Sequence, residues 1–270
     1  MAAITDFTIL RPRKKSRNNI KKERPVRFSP YFLVATVIAV LLCASPVAAQ
    51  SDTWEVTFAP YLMAAGMDGT VTVRGHEADV NVSAKDVFSN LQFGVMGLVV
   101  ARKGDWGVAG DAIYAALGGT AETPPANIDF DQGLFTFMGM RRLSPIADLT
   151  FGLRWNLLRG QIGFKGPLQL EVKKTKQWVD PIVGVILRSP ERGRWHAHLI
   201  ADVGGFGAGS DFVWHLFPTV GVRVGKRSSL EFGYRFLHTN YKSGDGNDLF
   251  KFDVLMQGPV IGSTIKFGSK

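Results

Sequence analysis

Apolar and polar residues alternate along most of the chain after about residue 50, and helical periodicity is nearly absent. Alternation of this kind places successive side chains on opposite faces of a strand. Most of the alternating segments contain ten or more residues. Strands of soluble proteins average about 5–6 residues, whereas strands that cross an outer membrane need about 9–11. The pattern therefore favours membrane-spanning strands, at roughly 53–66, 91–103, 106–117, 132–142, 148–160, 176–188, 194–206, 212–225, 229–241 and 250–267.

The connections between these ten segments fall into two groups. Short turns follow the second, fourth, sixth and eighth segments, and the alternate connections are mostly longer, at 67–90, 118–131, 161–175 and 242–249. Short turns at one end and longer loops at the other are typical of outer-membrane barrels. The sequence therefore predicts an all-β fold, an up-and-down antiparallel transmembrane β-barrel of ten strands. Eight or twelve strands are the alternatives.

The first long connection keeps the twelve-strand alternative open. Its stretch "GTVTVRGHEADVNVS" alternates, and it either extends the neighbouring strands or forms a further hairpin. The following "AKDVFSNL" is predicted to be a short helix with Ser83 as its N-cap, because a serine oxygen can accept a hydrogen bond from the first turn. Phe88 and Leu91 are expected to pack inward or over the mouth of the barrel.

The segment 148–160 shows the alternation best. One face carries Leu149, Phe151, Leu153, Trp155 and Leu157, and the other carries Thr150, Gly152, Arg154 and Asn156. Alternation alone does not say whether the apolar face meets a protein core or lipid. Strand length, turn asymmetry, the N-terminal segment and the tryptophans together favour lipid.

The six tryptophans are all predicted to lie near one end of a strand. Trp54, Trp106 and Trp195 begin strands at the end with the short turns, and Trp155, Trp178 and Trp214 lie toward the opposite end. Aromatic girdles at both membrane interfaces are typical of transmembrane barrels.

Residues 1–49 are predicted to be a basic region and a cleavable signal peptide, and residues 50–270 the barrel. The apolar run 31–42 is too short to span a bilayer comfortably. Val47 and Ala49 satisfy the small-x-small rule, which places the cleavage between Ala49 and Gln50. An uncleaved N-terminal anchor is the alternative. Export to a bacterial outer membrane follows, with outer-membrane lipids as neighbours.

The net charge of +9 lies mostly in the N-terminal segment. Residues 1–30 contribute +7 and residues 31–49 carry no charge, so the predicted barrel keeps +2. No basic face for nucleic acid is evident there. The single cysteine, Cys43, precedes the predicted cleavage site, so no disulfide or cysteine-based metal site is expected in the barrel.

The C-terminal strand ends in Gly262-x-x-Ile265-x-Phe267. This spacing resembles the assembly signal of bacterial outer-membrane barrels, which ends in two alternating hydrophobes, the last aromatic. The resemblance implies periplasmic chaperones and the barrel-assembly machinery as partners. The chain departs from the usual signal because residues 268–270 follow Phe267, and because Val260 stands where a polar residue is usual.

A broader resemblance covers much of the chain. The stretches "WEVTFAPYLMAAGMDGTVTVRG", "FGVMGLVVARKGDWGV", "WVDPIVGV", "FGYRFLHTNY" and "GPVIGSTIKF" resemble an uncharacterised family of proteobacterial outer-membrane β-barrel proteins. The resemblance implies a barrel and no particular activity.

Alternation also predicts charged side chains inside the barrel. Buried charges persist only when they are paired and hydrogen-bonded, so a salt-bridged network that plugs the lumen is expected. A charged constriction in a narrow pore is the alternative. The predicted residues are Glu55, Asp111, Arg154, Asp180, Asp202, Arg223, Glu231 and Arg235.

The histidines are candidates for metal binding and catalysis. His198, Asp202 and His215 could meet in a metal site or a base with an orienting carboxylate. An ordinary hydrogen-bond network is favoured, so no metal, cofactor or catalytic residue is predicted. "FLHTNY" resembles the site of outer-membrane lipid A deacylases, but Asn240 stands where their serine nucleophile would be. The omptin proteases share the strand number, without a residue-by-residue match.

These observations predict a small integral outer-membrane protein that is not an enzyme and has a structural or surface-interaction role. A narrow pore for small solutes is the second hypothesis, and a lipid-modifying enzyme is the third. Six glycines on the expected lumen side keep the pore hypothesis open, because a glycine leaves the lumen beside it unfilled. Those glycines are Gly94, Gly97, Gly184, Gly204, Gly221 and Gly233.

Overall fold

The computed structural model describes residues 53–122, 125–164, 171–190 and 193–268. The predicted export segment 1–49, including the cleavage site at Ala49 and Gln50, lies outside these residues. In the described part of the chain, no helix is long and apolar enough to cross a membrane.

The described chain is almost entirely β-structure. The strands are β1 Glu55–Met63, β2 Gly66–Val73, β3 His76–Val82, β4 Leu91–Lys103, β5 Trp106–Glu122, β6 Pro125–Ser144, β7 Ala147–Phe164, β8 Glu171–Arg188, β9 Trp195–Gly204, β10 Phe212–Arg223, β11 Ser228–Ser243 and β12 Phe250–Phe267. A short helix, α1 Ala84–Asn90, precedes β4, and a 3-10 turn at Gly246–Asp248 precedes β12.

Ten of the strands close into an antiparallel barrel. The order is β1-β4-β5-β6-β7-β8-β9-β10-β11-β12, and β12 pairs with β1 to complete the ring. The pairing runs from Val56 opposite Phe267 to Met63 opposite Val260. The predicted ten-strand barrel is confirmed. Closure leaves the ring without a free edge, as a barrel in lipid requires.

The two remaining strands form a hairpin outside the ring. β2 continues along β12 beyond the end of β1, with Gly66 opposite Gln257 and Val73 opposite Phe250, and β3 pairs with β2. The β1–β2 break lies at Ala64 and Ala65, where the Ala64 amide donates to the Pro259 carbonyl. The segment 66–82 is therefore a hairpin that extends the sheet, and it does not enlarge the barrel to twelve strands.

The loop after this hairpin forms the predicted short helix. The Ser83 side chain accepts from the Asp86 amide at 3.2 Å, and Asp86 Oδ2 accepts from the Ser83 amide at 3.0 Å. Val87 is the buried residue of the helix, whereas Phe88 and Leu91 are exposed. Of the two expected placements, packing of Phe88 and Leu91 inward is wrong, because Val87 is the residue that the capped helix buries. Packing over the mouth of the barrel stays a prediction.

Four strands are longer than the alternation indicated. β5 runs to Glu122 and β6 begins at Pro125, across the predicted loop 118–131. β7 runs to Phe164 and β8 begins at Glu171, across much of the predicted loop 161–175. Glycine and charged residues in these stretches indicated loops, but backbone hydrogen bonds to a neighbouring strand do not require an apolar face. The ladder therefore continues beyond the membrane-spanning part.

The short turns lie at one end of the barrel, which we call the turn end. They join β4 to β5, β6 to β7, β8 to β9 and β10 to β11. Gly104, in the first of them, has φ +58°, a conformation that glycine adopts at little cost. The opposite end, with the hairpin β2–β3 and the extended β5–β8, is called the loop end. In barrels of this class the turns face the periplasm.

The outer wall of the barrel is largely apolar, whereas the lumen holds buried charges. Arg154 is 2% exposed, while its neighbours Leu153 and Trp155 are 53% and 39% exposed. The same arrangement, with apolar side chains exposed and charged ones buried, holds around the ring. Large apolar side chains of the outer wall include Phe58, Leu62, Phe137, Phe151, Phe232 and Ile261. A continuous apolar wall of this extent is far larger than soluble proteins expose, and it fits a lipid environment.

Candidate functional site in the barrel lumen

A buried triad of polar side chains crosses the middle of the lumen. Arg235 on β11 lies 3.0 Å from Asp111 Oδ2 on β5, and it donates to the Tyr61 hydroxyl on β1 at 2.8 Å. The Tyr61 hydroxyl in turn donates to Asp111 Oδ1 at 2.7 Å. The Arg235 guanidinium also lies over the Phe217 ring, 4.4 Å from its centroid. Polar and aromatic side chains of the barrel wall therefore surround the buried guanidinium and compensate its charge.

A second buried network lies beside the first. Arg154 on β7 and Asp202 on β9 make two contacts, at 2.9 and 3.1 Å, of which only the longer is aligned as a hydrogen bond. Arg154 Nε also donates to Thr136 Oγ1 at 3.1 Å. His215 Nδ1 lies 2.8 Å from Asp202 Oδ2. The carboxylate is thus shared between an arginine and a histidine.

Asp180 is held by hydrogen bonds nearer the loop end. Its carboxylate accepts from Asn156 Nδ2 at 2.9 Å, from Trp178 Nε1 at 3.2 Å and from the Ser210 hydroxyl at 3.0 Å. The Ser210 amide donates to the second oxygen at 2.5 Å. Asp180 and Ser210 are fully buried. This set ties the loop between β9 and β10 to β8.

The placement of Trp178 corrects the predicted outer girdle. Trp178 is 7% exposed and stacks on Tyr241 inside the lumen, with ring centroids 4.1 Å apart. It shares the inward face of β8 with Asp180, two residues along the strand. Alternation therefore assigns it inward, whereas proximity to a strand end suggested a girdle. Trp155 and Trp214 do point outward, and Trp54, Trp106 and Trp195 are exposed at the turn end.

Sequence reasoning missed a charged cluster at the turn end. Asp148 is fully buried, and both Arg102 and Arg188 pair with it. The alternation could have predicted the inward position of Asp148, because Asp148 lies an even number of residues from Thr150 and Arg154 and therefore shares their face of β7. It stands at the first position of the alternating segment, where a charge is easily attributed to the turn.

The remaining predicted residues of the lumen network lie nearer the turn end. Glu231 on β11 is half-buried and lies 2.8 Å from His196 Nε2. Arg223 is half-buried at the end of β10. Glu55 is exposed at the start of β1, so it does not join the buried network. Glu55 does lie on the inward face of β1, as predicted, but it is the first residue of the strand and therefore lies at the open rim of the barrel.

The predicted group of His198, Asp202 and His215 does not form as a whole. Asp202 contacts His215, and His198 lies instead beside His196, with ring centroids 5.1 Å apart. His196, His198 and Glu231 present ligand atoms that all lie within 4.8 Å of one another. The sequence analysis did not single out His196. Its spacing of two residues from His198 was the available signal.

Apolar side chains and the two buried ion pairs together fill the middle of the lumen. The apolar cluster includes Tyr61, Phe217, Leu237, Met256 and Val260. A small cavity of about 10 Å³, barely enough for one water molecule, lies on the loop-end side against Leu237 and Met256. A larger cavity of about 90 Å³, partly open to solvent, lies on the turn-end side against Tyr61 and Phe217. The cluster separates the two cavities.

The residues of the predicted assembly signal lie on the closing strand. Gly262 pairs with Tyr61 across the β1–β12 seam, and a Cβ atom there would lie 2.7 Å from that of Tyr61. Ile265 and Phe267 point outward and are 38% and 50% exposed. Whether the assembly machinery reads these residues stays a prediction.

The apolar outer wall and the buried charges decide the class of the fold. Its fold is that of an outer-membrane β-barrel. No protein-family model matches the chain, and neither does any curated protein sequence. The resemblance to an uncharacterised proteobacterial family therefore stays a prediction.

Solved structures similar to this chain are outer-membrane barrels of varied roles. Ail, the attachment invasion locus protein of Yersinia pestis, is 12% identical, with a TM-score of 0.40 over 80% of this chain and 100% of that one. The outer-membrane protease OmpT of Escherichia coli is 8% identical, with a TM-score of 0.44 over 82% and 99%. Neisserial surface protein A is 13% identical, with a TM-score of 0.31 over 82% and 100%. These likenesses concern the fold and transfer no activity.

Proposed function

We propose that this protein is a sealed outer-membrane β-barrel with a structural or surface-interaction role and no enzymatic activity. The observation that carries the proposal is the barrier in the middle of the lumen. Arg235 is 2% exposed and is held between Asp111, Tyr61 and the Phe217 ring. A pore would instead need charged groups that line an open, hydrated path.

The energetics of the barrier support a permanently closed lumen. Separating either buried pair would leave an uncompensated charge in a low-dielectric interior, which costs about 3–5 kcal/mol. Apolar side chains fill the space between the pairs, so opening would also expose apolar surface to water. About eight strands give an interior that side chains can fill, whereas the open channels of porins are formed by about 16–18 strands.

The loop end supports the surface-interaction part of the proposal. Beyond Leu117, β5 has no partner in β4, yet it continues in register with β6 to Glu122. β6, β7 and β8 rise with it and form a four-stranded extension. This extension carries charged side chains such as Asp131, Arg159 and Lys174. A hydrogen-bonded, charged sheet above the membrane is a suitable surface for contact with other molecules.

Two arrangements that could suggest catalysis support a structural role instead. His215 is oriented by Asp202, but among the described residues no group hydrogen-bonds to its buried Nε2 atom. An activated nucleophile needs a hydroxyl or thiol at that position. His238 pairs with Asp253 at 2.9 Å and stacks against Trp214. This pair lies on the outward face of its strands, and Asn240, not serine, stands two residues after His238.

A narrow pore is the second candidate, and the two cavities favour it. Only the central cluster separates them, so its rearrangement would join the two ends of the lumen. In this alternative, Arg154 and Asp202 would be the groups that select solutes by charge.

Single-channel conductance of the protein purified from outer membranes tests the proposal. We expect no conductance from the wild type in a planar bilayer. The double variant Phe217→Ala with Arg235→Ala should produce steady, salt-dependent steps, because it removes the centre of the barrier. Phe137→Ala, on the outer wall, is the matched control and should remain silent. Steps from the wild type would overturn the proposal in favour of a pore, and silence from the inserted double variant would contradict the assignment of the barrier.

A further inference from the structure

His196, His198 and Glu231 form a compact cluster on the inner wall near the turn end. His196 and His198 lie two residues apart on β9 and therefore share one face. Glu231 lies on β11, two strands away. We propose that this cluster is a binding site for a transition-metal ion of the zinc type, with the two imidazoles and the carboxylate as ligands. The inference goes beyond the proposed function.

Gly221 makes this cluster geometrically possible. It lies on β10 between the other two strands, opposite His196 on one side and Glu231 on the other. Strands two apart in a sheet are separated by about 9–10 Å, so side chains normally meet across them only when the intervening position is small. A Cβ atom at Gly221 would lie 2.2 Å from His196 Nε2 and 2.4 Å from Glu231 Oε2. Glycine therefore leaves the space that the ligands and an ion would share.

The distances suit coordination after small side-chain rotations. His196 Nε2 and Glu231 Oε1 are 2.8 Å apart, and all three ligand atoms lie within 4.8 Å of one another. Zinc–ligand distances of about 2.0–2.2 Å imply ligand atoms about 3.3–3.6 Å apart in a tetrahedral site. An ion would therefore widen the short His196–Glu231 contact and draw His198 inward.

The surroundings of Glu231 are those of a metal ligand. Its Oε2 atom is buried and has no hydrogen-bond partner among the described residues. The Thr264 hydroxyl lies 3.4 Å from Oε1 and can orient the carboxylate. Buried carboxylate oxygens rarely remain unpaired, because the lost hydration is not replaced. A cation bound at Oε2 would supply the missing interaction.

The donor set defines the class of ion. Two histidines and one carboxylate are ligands that Zn²⁺ accepts, with a further position left for water or a small ligand. Imidazole also suits Cu²⁺ and Ni²⁺, whereas Mg²⁺ and Ca²⁺ prefer oxygen ligands. His198 and Glu231 line the turn-end cavity, which is partly open to solvent. An ion can therefore enter from that side without passing the central barrier.

Zinc titration of the protein purified from outer membranes in detergent tests the inference. Calorimetry should give one bound Zn²⁺ per chain, retained in an excess of Mg²⁺. Co²⁺ should give the intense visible bands of tetrahedral coordination, and Zn²⁺ should abolish them. These wild-type measurements need no variant. Failure of the folded wild type to bind Zn²⁺, or displacement of Zn²⁺ by Mg²⁺, would overturn the proposal.

Variants locate the site. His198→Ala and the nearly isosteric Glu231→Gln should each weaken Zn²⁺ binding by at least about tenfold. Loss of a residue that merely orients a metal ligand already lowers metal affinity by about that factor, and loss of a ligand itself should cost at least as much. His238→Ala is the matched control, because His238 lies on the outer face, and its affinity should equal that of the wild type. Heat-dependent gel mobility verifies that each variant is folded. Unchanged affinity in both folded ligand variants would contradict the assignment.

Discussion

Arg154 and Asp202 form an ion pair in the lumen although they lie on β7 and β9, which are not neighbouring strands. Both side chains are 2% exposed. The pair spans β8, whose Gly184 lies opposite both Thr150 and Asp202. A side chain at Gly184 would collide with Asp202, since a Cβ atom there would lie 2.6 Å from the Asp202 Cβ. The ion pair thus links three strands of the ring.

Breaking this pair should destabilise the barrel strongly. We expect Arg154→Met to lower the free energy of unfolding by about 3–5 kcal/mol, because Asp202 would remain buried without its cation. The double variant Arg154→Met with Asp202→Leu should recover most of the loss, since it removes both charges. Urea unfolding in detergent, followed by tryptophan fluorescence, measures the difference. A single variant as stable as the wild type would contradict this account.

An exposed ion pair in the same barrel provides the control. Arg159 and Asp131 are 3.5 Å apart at the loop end, and the Arg159 side chain is 52% exposed. Arg159→Ala should change the free energy of unfolding by only about 0–1 kcal/mol, because water screens the pair.

Gly221 should be intolerant of even one methyl group. In Gly221→Ala the new Cβ atom would collide with His196 and Glu231, so we expect a loss of about 1–3 kcal/mol in the free energy of unfolding. In Gly160→Ala nothing lies within 4 Å of the new atom. That variant should be neutral or slightly more stable, because alanine restricts the unfolded chain. Equal stabilities of the two variants, measured by the same urea titration, would refute the assigned role of Gly221.

Phe267→Ala should reduce the amount of barrel inserted in the outer membrane. Phe267 is 50% exposed on the outer wall, so its loss removes little packing from the folded barrel. Phe232→Ala is the matched control, since Phe232 is 47% exposed on the same wall but lies outside the C-terminal motif. Quantifying the heat-sensitive gel band in membrane fractions distinguishes the two. Similar reductions in both variants would indicate a packing effect and not an assembly signal.

The capping box of α1 should depend on pH. The hydrogen bonds from Ser83 lower the pKa of the Asp86 carboxyl below its ordinary value. Because the folded-state pKa is depressed, the contribution of Asp86 is present above its unfolded pKa and is lost as the pH falls through the folded one. An NMR titration should show the lowered pKa in the wild type and a pKa closer to its ordinary value in Ser83→Ala, which loses the hydroxyl donor but keeps the backbone amide donor to Asp86. An ordinary pKa in the wild type would show that the cap does not form.

The sequence predicted the local features of the barrel because they depend on neighbouring residues. Leu153 and Arg154 take opposite faces through the two-residue period of a strand, and that period can be read directly. The turn at Gly104 and the helix cap at Ser83 likewise depend on only a few adjacent residues. The lengths of β5 to β8 were underestimated, because a strand that leaves the membrane loses its apolar face but keeps its backbone partners.

Contacts between distant residues were decided only by the tertiary structure. Alternation places Asp202, His198 and Trp178 on inward faces, but it does not say which neighbour each one meets. Asp202 contacts Arg154 and His215, His198 lies beside His196, and Trp178 stacks on Tyr241. These pairings depend on strand register and on where glycine leaves space, as Gly221 does between His196 and Glu231. By itself, the sequence determined the barrel class and the face of most side chains, because both follow from the two-residue period and the length of the strands. Only the structure decided between ten and twelve strands, by placing β2 and β3 outside the closed ring. The closure of the ring set the register, and the register decided which charges, rings and ligands meet inside it.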